Sequence, residues 1–152
     1  METKQYRITR AFFIFLASFS LVVQIIRTAQ KILTGEFLFC LLSALIAGGL
    51  LYCGVQLETV LRHQWPKVRG LFLAKIALLL CGLVVVVLCG PAKIPNETKP
   101  EQMEKLEALA GQRFAYELFG DTVSLISFSI LFMATRKLSR ALPLDPVPEA
   151  DT

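Results

Sequence analysis

Four long apolar stretches, separated by short polar segments, dominate the hydrophobic pattern of this chain. They cover residues 11–26, 37–57, 71–90 and 118–135. An α-helix needs about 20 apolar residues to cross a hydrocarbon layer of about 30 Å. Backbone groups in lipid must be hydrogen-bonded within the protein, so even the valine run 84–87 is expected to be helical. The pattern predicts an all-α integral membrane four-helix bundle.

The expected helices extend past the apolar stretches where the flanking residues allow it. Arg27 and Lys31 can direct their charges to the interface, so the first helix is expected to stop only at 34–35. Trp65–Pro66 is expected to end the second helix, and Gly90–Pro91 the third. The predicted spans are residues 11–33, 37–60, 68–90 and 114–135.

The longest polar segment lies before the fourth apolar stretch. Within residues 101–113, Met103, Leu106 and Ala110 recur at helical spacing, which predicts a short amphipathic extramembrane helix that runs into the fourth span. The last residues, 141–152, contain three prolines and no apolar periodicity, so we expect a disordered tail. Residues 1–140 are then one four-span membrane domain.

Composition and charge narrow the class of protein further. Of the 152 residues, 55% are hydrophobic and only 18% are charged, whereas soluble domains are about 25% charged. The net charge of +4 comes from basic residues that flank the apolar stretches, without a basic stripe, which argues against nucleic-acid binding. The expected partners are the lipid bilayer and other membrane proteins or a second copy of the chain.

The distribution of basic residues predicts the orientation. With four spans, nine lie on one side and six on the other. The nine are Lys4, Arg7, Arg10, Arg62, Lys67, Arg69, Arg136, Lys137 and Arg140. This excess predicts that both termini are cytoplasmic, and we expect the bacterial inner (plasma) membrane. The triplet 96–98 would then be a non-cytoplasmic glycosylation sequon in a eukaryotic host.

Two alternative interpretations concern single segments. The basic N-terminus followed by an apolar run also fits a cleaved signal peptide, but no small-x-small cleavage site follows Ile26, so a retained span is favoured. The four cysteines, Cys40, Cys53, Cys81 and Cys89, are expected to act as small packing residues. The alternative is a redox pair between Cys40 and Cys89. A single histidine, His63, offers no metal-ligand spacing.

Small residues follow one face in each of the two middle spans. In the second, the face comprises Cys40, Ser43, Ala44, Ala47, Gly48, Leu51 and Gly54; in the third, it comprises Gly70, Ala74, Ala77 and Cys81. Small side chains four residues apart let helix backbones approach closely in lipid. The pattern predicts that both faces pack inside a tight bundle.

The first and fourth spans each carry a polar stripe. In the first span it includes Gln24, Arg27 and Lys31; in the fourth it includes Glu117, Asp121, Ser124 and Ser127. An unpaired carboxylate in lipid is costly, so Asp121 is expected to pair with Arg27, or else with Lys31 or Gln24. A second expected pair, Glu58 with Lys75, would lie at the cytoplasmic ends of the second and third spans.

The role of this polar cluster has three interpretations. It can be an ion pair that fixes helix register, or a polar cavity for a small solute, a proton or a lipid head group. Alternatively, Asp121 simply reaches the interface. The chain has no nucleotide-binding, hydrolase or metalloprotease motif, so we expect no cofactor, no metal and no catalytic residue.

The predicted function is a non-catalytic accessory, assembly or scaffold subunit. The alternative is a small oligomeric transporter or channel-like protein that uses the cluster between spans one and four, and a membrane-embedded enzyme comes third.

Overall fold

A computed structural model describes residues 3–32, 36–91, 93–97 and 99–142. Within them the chain is entirely helical, with five α-helices and no strand. They are α1 (Lys4–Gln30), α2 (Phe37–Val55), α3 (Leu57–His63), α4 (Trp65–Cys89) and α5 (Pro100–Ala141). All except α3 are long and apolar enough to cross a membrane, which confirms the predicted fold class.

The helix boundaries depart from the predicted spans at several places; α1 begins at Lys4 and not at residue 11, and α5 ends at Ala141 and not at residue 135. A turn at Gln56 separates α2 from the short helix α3, so the second span ends at Val55 rather than near residue 60. Trp65 and Pro66 form the first turn of α4, where the missing N–H of proline costs no hydrogen bond.

α1 ends at Gln30, with Lys31 as its C-cap, so the predicted continuation of the first helix to residue 33 is wrong. Residues 34–35 and the tail from 143 lie outside the described residues.

Consecutive long helices run antiparallel and form a four-membered ring. α1 packs on α2 and α5, and α4 packs on the same two helices. At one end, Arg10 of α1 donates a hydrogen bond of 3.0 Å to the carbonyl of Val55, the last residue of α2. At that same end Trp65 of α4 stacks on Phe132 of α5, with ring centroids 6.3 Å apart. This arrangement brings the nine basic residues to a single end of the bundle, the basic end.

Large aromatic side chains fill the half of the bundle nearest the basic end. Phe13 of α1 meets Phe72 of α4 edge-to-face at 5.3 Å, and Phe72 also contacts the Phe132 ring at 5.6 Å. Both rings of the first pair are fully buried. On α2, a side chain at Gly54 would collide with the Phe13 ring, so this aromatic pair requires a glycine there. Leu57, Val60 and Leu61 of α3 cover the end of the core.

The two predicted small-residue faces behave differently. In α2, Cys40, Ser43, Ala44, Ala47 and Gly54 are buried, and Gly48 is half-buried. In α4, Gly70, Ala77 and Cys81 are exposed and Ala74 is half-buried, which corrects the prediction that this face packs inside the bundle.

The small-residue face of α4 points outward because the opposite side of the helix carries larger side chains. Val68, Phe72, Lys75 and Leu79 are its buried residues. At 3.6 residues per turn they lie about 180° from the small-residue face. The aromatic core requires large side chains, so the large face is turned inward.

The fourth long helix is continuous with the predicted amphipathic segment. α5 has 42 residues, whereas its neighbour α4 has 25. The excess corresponds to about 25 Å of helix. Asp121 is the first buried residue of α5. Residues 100–113, here called the projecting segment, therefore extend beyond the bundle.

Candidate functional site

An ion pair joins α1 to α5 inside the bundle. Nη1 of Arg27 lies 3.1 Å from Oδ1 of Asp121. The Asp121 carboxylate is buried, whereas the Arg27 side chain keeps 32% of its surface exposed. The pair therefore sits at the edge of the interior and not at its centre. It is the first pairing expected from the two polar stripes.

Gln24 lies one turn before Arg27 on the same helix and is buried. Its backbone carbonyl accepts a hydrogen bond of 2.7 Å from the Thr28 hydroxyl. A threonine that bonds back four residues satisfies its own hydroxyl within the helix and needs no partner from elsewhere. Of these three side chains, the Arg27 guanidinium contacts Asp121, whereas Thr28 lines a groove toward α2.

A second cation lies at the heart of the bundle. Lys75 has no exposed surface, and its Nζ donates a hydrogen bond of 2.8 Å to Oγ of Ser43 on α2. The same Nζ lies 5.6 Å from the centre of the Phe128 ring on α5, a cation–π distance. Lys75 thereby ties α4 to both of its neighbours in the ring.

The predicted partnership of Lys75 with Glu58 is wrong. Glu58 accepts a hydrogen bond of 3.0 Å from Arg62, one turn along α3, at the basic end. The sequence prediction placed Lys75 near the start of its helix, because the apolar stretch begins at residue 71. The helix α4 begins earlier, at Trp65. Lys75 is therefore well over two turns inside the helix, too deep to reach α3.

The charges of Arg27, Asp121 and Lys75, here called the polar layer, do not cancel. Arg27 and Asp121 both act electrostatically on Lys75, the first by repulsion and the second by attraction. With every group ionised, two cations share one carboxylate. A buried ion costs several kcal/mol when its partners are incomplete. The Lys75 ammonium has three N–H donors, and one of them donates to the Ser43 hydroxyl. The polar layer therefore lowers the stability of the fold.

The remaining predicted residues lie at the margin of the layer. Glu117 pairs with Arg113 of its own helix at 3.8 Å and does not reach Arg27. Ser124 is half-buried and lies about one turn after Asp121 along α5. Lys31 pairs with Glu36 across the α1–α2 connection, outside the interior. The cluster therefore consists of Arg27 and Asp121, with Gln24 buried one turn away on α1. Lys75 and Ser43 join it, although the sequence had assigned them to other roles.

Cavities and thiols add no catalytic group to this layer. A groove of about 270 Å³ between α1 and α2 is lined by apolar side chains and by Thr28. All four cysteines are free; Cys40 is buried and Cys89 exposed. Among the residues that the structure describes, no group of histidine, cysteine and carboxylate side chains could hold a metal ion.

The depth of Lys75 is the feature that sequence reasoning missed. A signal was present, since helical spacing places Lys75 on the same side of α4 as Val68, Phe72 and Leu79. As for relatives, the sequence matches no protein-family model, and no curated protein or solved structure gives a significant match.

Proposed function

We propose that the chain is a multi-pass membrane protein that crosses the bilayer four times. The support is the set of four helices that are long and apolar enough to span. Because the helices alternate in direction, their basic flanks gather at one end, which we assign to the cytoplasm. Both termini are then cytoplasmic, and the bacterial inner membrane is the proposed location.

Within that membrane we assign the chain a non-catalytic role as an accessory, assembly or scaffold subunit that binds another membrane protein. The observation that carries this role is the projecting segment. Its 14 residues continue α5 for about 21 Å beyond the bundle without a buried residue. Leu106 and Leu109 are exposed on it, the latter by 60%. An isolated helix of this length gains little stability in water, so a partner surface accounts for its apolar side chains.

The outward face of α4 offers a second contact, inside the bilayer. Gly70, Ala77 and Cys81 point away from the chain's own bundle. Small residues bring helices close in lipid, where hydrophobic attraction between helices is absent. A partner helix could pack along this face within the membrane. The projecting segment would then contact the same partner outside the membrane.

Co-purification in mild detergent tests this role. The double variant Leu106→Glu with Leu109→Glu removes the apolar side chains of the projecting segment without touching the bundle. The matched control, Gln102→Glu with Gln112→Glu, adds the same charge to exposed positions of the same segment. We expect the first variant to lose a partner that both the unmodified chain and the control retain. An isolated monomer from every sample would contradict the role, and a homodimer would assign the partner surface to a second copy.

A second candidate function is a small oligomeric transporter or channel-like protein, and Lys75 favours it. Ionisable residues at membrane depth commonly mark ion or proton pathways. The test is the charge-swapped chain, Arg27→Asp with Asp121→Arg, in proteoliposomes that contain a pH-sensitive dye. A transporter should fold with the swap and lose proton flux. A scaffold should fold, keep its partner and show no flux before or after the swap.

A further inference from the structure

Two basic side chains flank a concave surface at the start of α1. Lys4 and Arg7, together with Ile8 and Ala11, line a concavity of about 710 Å³. The concavity is an open depression on the surface of α1 and not an enclosed pocket. The concavity lies at the basic end of the bundle, far from the polar layer around Lys75.

These two cations have no ion-pair partner among the described residues. Among the described residues, neither Lys4 nor Arg7 forms an ion pair or a side-chain hydrogen bond, and both are exposed. The first turn of α1 contains no acidic residue, and basic side chains at a helix N-terminus oppose the helix dipole. Their presence is therefore not explained by the stability of α1.

An apolar ridge continues from the concavity along the same face of the helix. At 100° per residue, Ile8 and Phe15 lie within about 40° of Lys4, and Phe12 and Phe19 lie about 60–80° from it, on the flank away from Arg7. All four are exposed, Phe15 by 66% and Phe19 by 59%. The Phe15 and Phe19 rings stack with centroids 6.3 Å apart. Two cations at the end of an exposed apolar ridge match a molecule with an anionic head and a hydrocarbon tail.

We propose that this face of α1 binds an anionic phospholipid. The lipid phosphate lies between the Lys4 ammonium and the Arg7 guanidinium, and an acyl chain runs along Ile8 toward Phe15. Arginine and lysine are the side chains that bind phosphate oxygens through charge-assisted hydrogen bonds. The inference rests on the proposed membrane placement and is independent of the proposed accessory role.

Native mass spectrometry of the full chain in mild detergent tests the site, with phosphatidylglycerol as ligand and phosphatidylcholine as the zwitterionic comparison. The site variant is Lys4→Gln with Arg7→Gln. The matched control, Lys67→Gln with Arg69→Gln, removes the same charge from exposed positions at the same end. We expect the site variant to bind phosphatidylglycerol about tenfold more weakly and the control to change it less than about threefold. An unchanged thermal midpoint would show that both variants are folded.

Three results would overturn the proposal. Equal losses in the two variants would mean diffuse attraction by the basic end. Equal binding of phosphatidylcholine, or competition by millimolar inorganic phosphate, would remove the anionic lipid as the specific occupant. Binding seen only after deletion of residues 143–152, which include three carboxylate side chains, would assign the concavity to the chain's own tail. None of these results depends on whether a partner protein exists.

Discussion

The two faces of α4 show how differently one helix can be used. Its inner face carries Phe72 and Lys75, both without exposed surface, in contact with all three other long helices. Its outer face carries small residues, of which Gly70, Ala77 and Cys81 are exposed; a side chain added at Gly70 would meet open space. The inner face is therefore covered by the chain's own helices, whereas much of the outer face is left uncovered by them, as the proposed contact with lipid or another helix requires. Substitutions on the first should change stability, and substitutions on the second should change association.

The largest effect is expected from Phe72, at the centre of the inner face. Phe72→Ala removes a fully buried ring that contacts two others, and such truncations cost about 3–5 kcal/mol. Leu73→Ala is the matched control on the next position, where the side chain is 47% exposed. It should change the free energy of unfolding by less than about 1 kcal/mol. Unfolding in mixed micelles with increasing denaturing detergent measures both, and similar values would contradict the assignment of the two faces.

A smaller loss is expected when the α1–α5 ion pair is broken. Asp121→Asn removes the counter-charge of Arg27, and breaking a fully buried pair costs about 3–5 kcal/mol. Because Arg27 is 32% exposed and can reach polar surroundings, we expect about 1–2 kcal/mol here. Glu36→Gln is the control, since it breaks the exposed pair with Lys31 and should cost less than about 0.5 kcal/mol. A stability equal to that of the unmodified chain for Asp121→Asn would show that the pair contributes nothing.

The substitution of Lys75 should have the opposite sign. Lys75→Met keeps an unbranched, flexible side chain of similar volume while removing the buried charge. Replacing an incompletely paired ion by an apolar side chain is commonly neutral or stabilising, so we expect a gain of about 1 kcal/mol. The freed Ser43 hydroxyl can bond back to its own helix. Calorimetry in detergent measures the shift, and a loss of more than about 2 kcal/mol would show that Lys75 is required for the fold.

On the outer face the free energy of unfolding should barely respond. Ala77→Leu adds bulk at an exposed position and should alter stability by less than about 0.5 kcal/mol, because no neighbouring helix is displaced. If a partner helix lies on this face, the same substitution should weaken its co-purification. Val87→Leu, also exposed but about a quarter turn away, is the comparison and should leave the partner bound.

The sequence predicted the secondary structure better than it predicted which face of each helix is buried. Apolar runs of spanning length predicted the four long helices, because backbone hydrogen bonding in lipid leaves few alternatives. The pairing of Asp121 with Arg27 was also predictable, since each charge needs a partner at its own depth.

The direction in which α4 faces was not predictable from residue size alone. Small residues can pack against the chain's own helices or against another molecule, and both uses produce the same spacing. What decided between them is the aromatic cluster of Phe13, Phe72 and Phe132, which joins residues far apart in the chain. The partner of Lys75 was misjudged for a related reason, because α4 begins earlier than its apolar run.

Arg27 of α1 and Asp121 of α5 carry opposite charges that meet at the same depth and join the two helices. A double-mutant cycle on Arg27→Asp, Asp121→Arg and their combination measures the coupling of these two side chains, with unfolding in detergent as the readout. We predict that each single substitution destabilises the chain and that the combination restores most of the loss, with a coupling energy of about 1–3 kcal/mol. Additive losses in the combined variant would show that the two side chains do not interact within the folded protein.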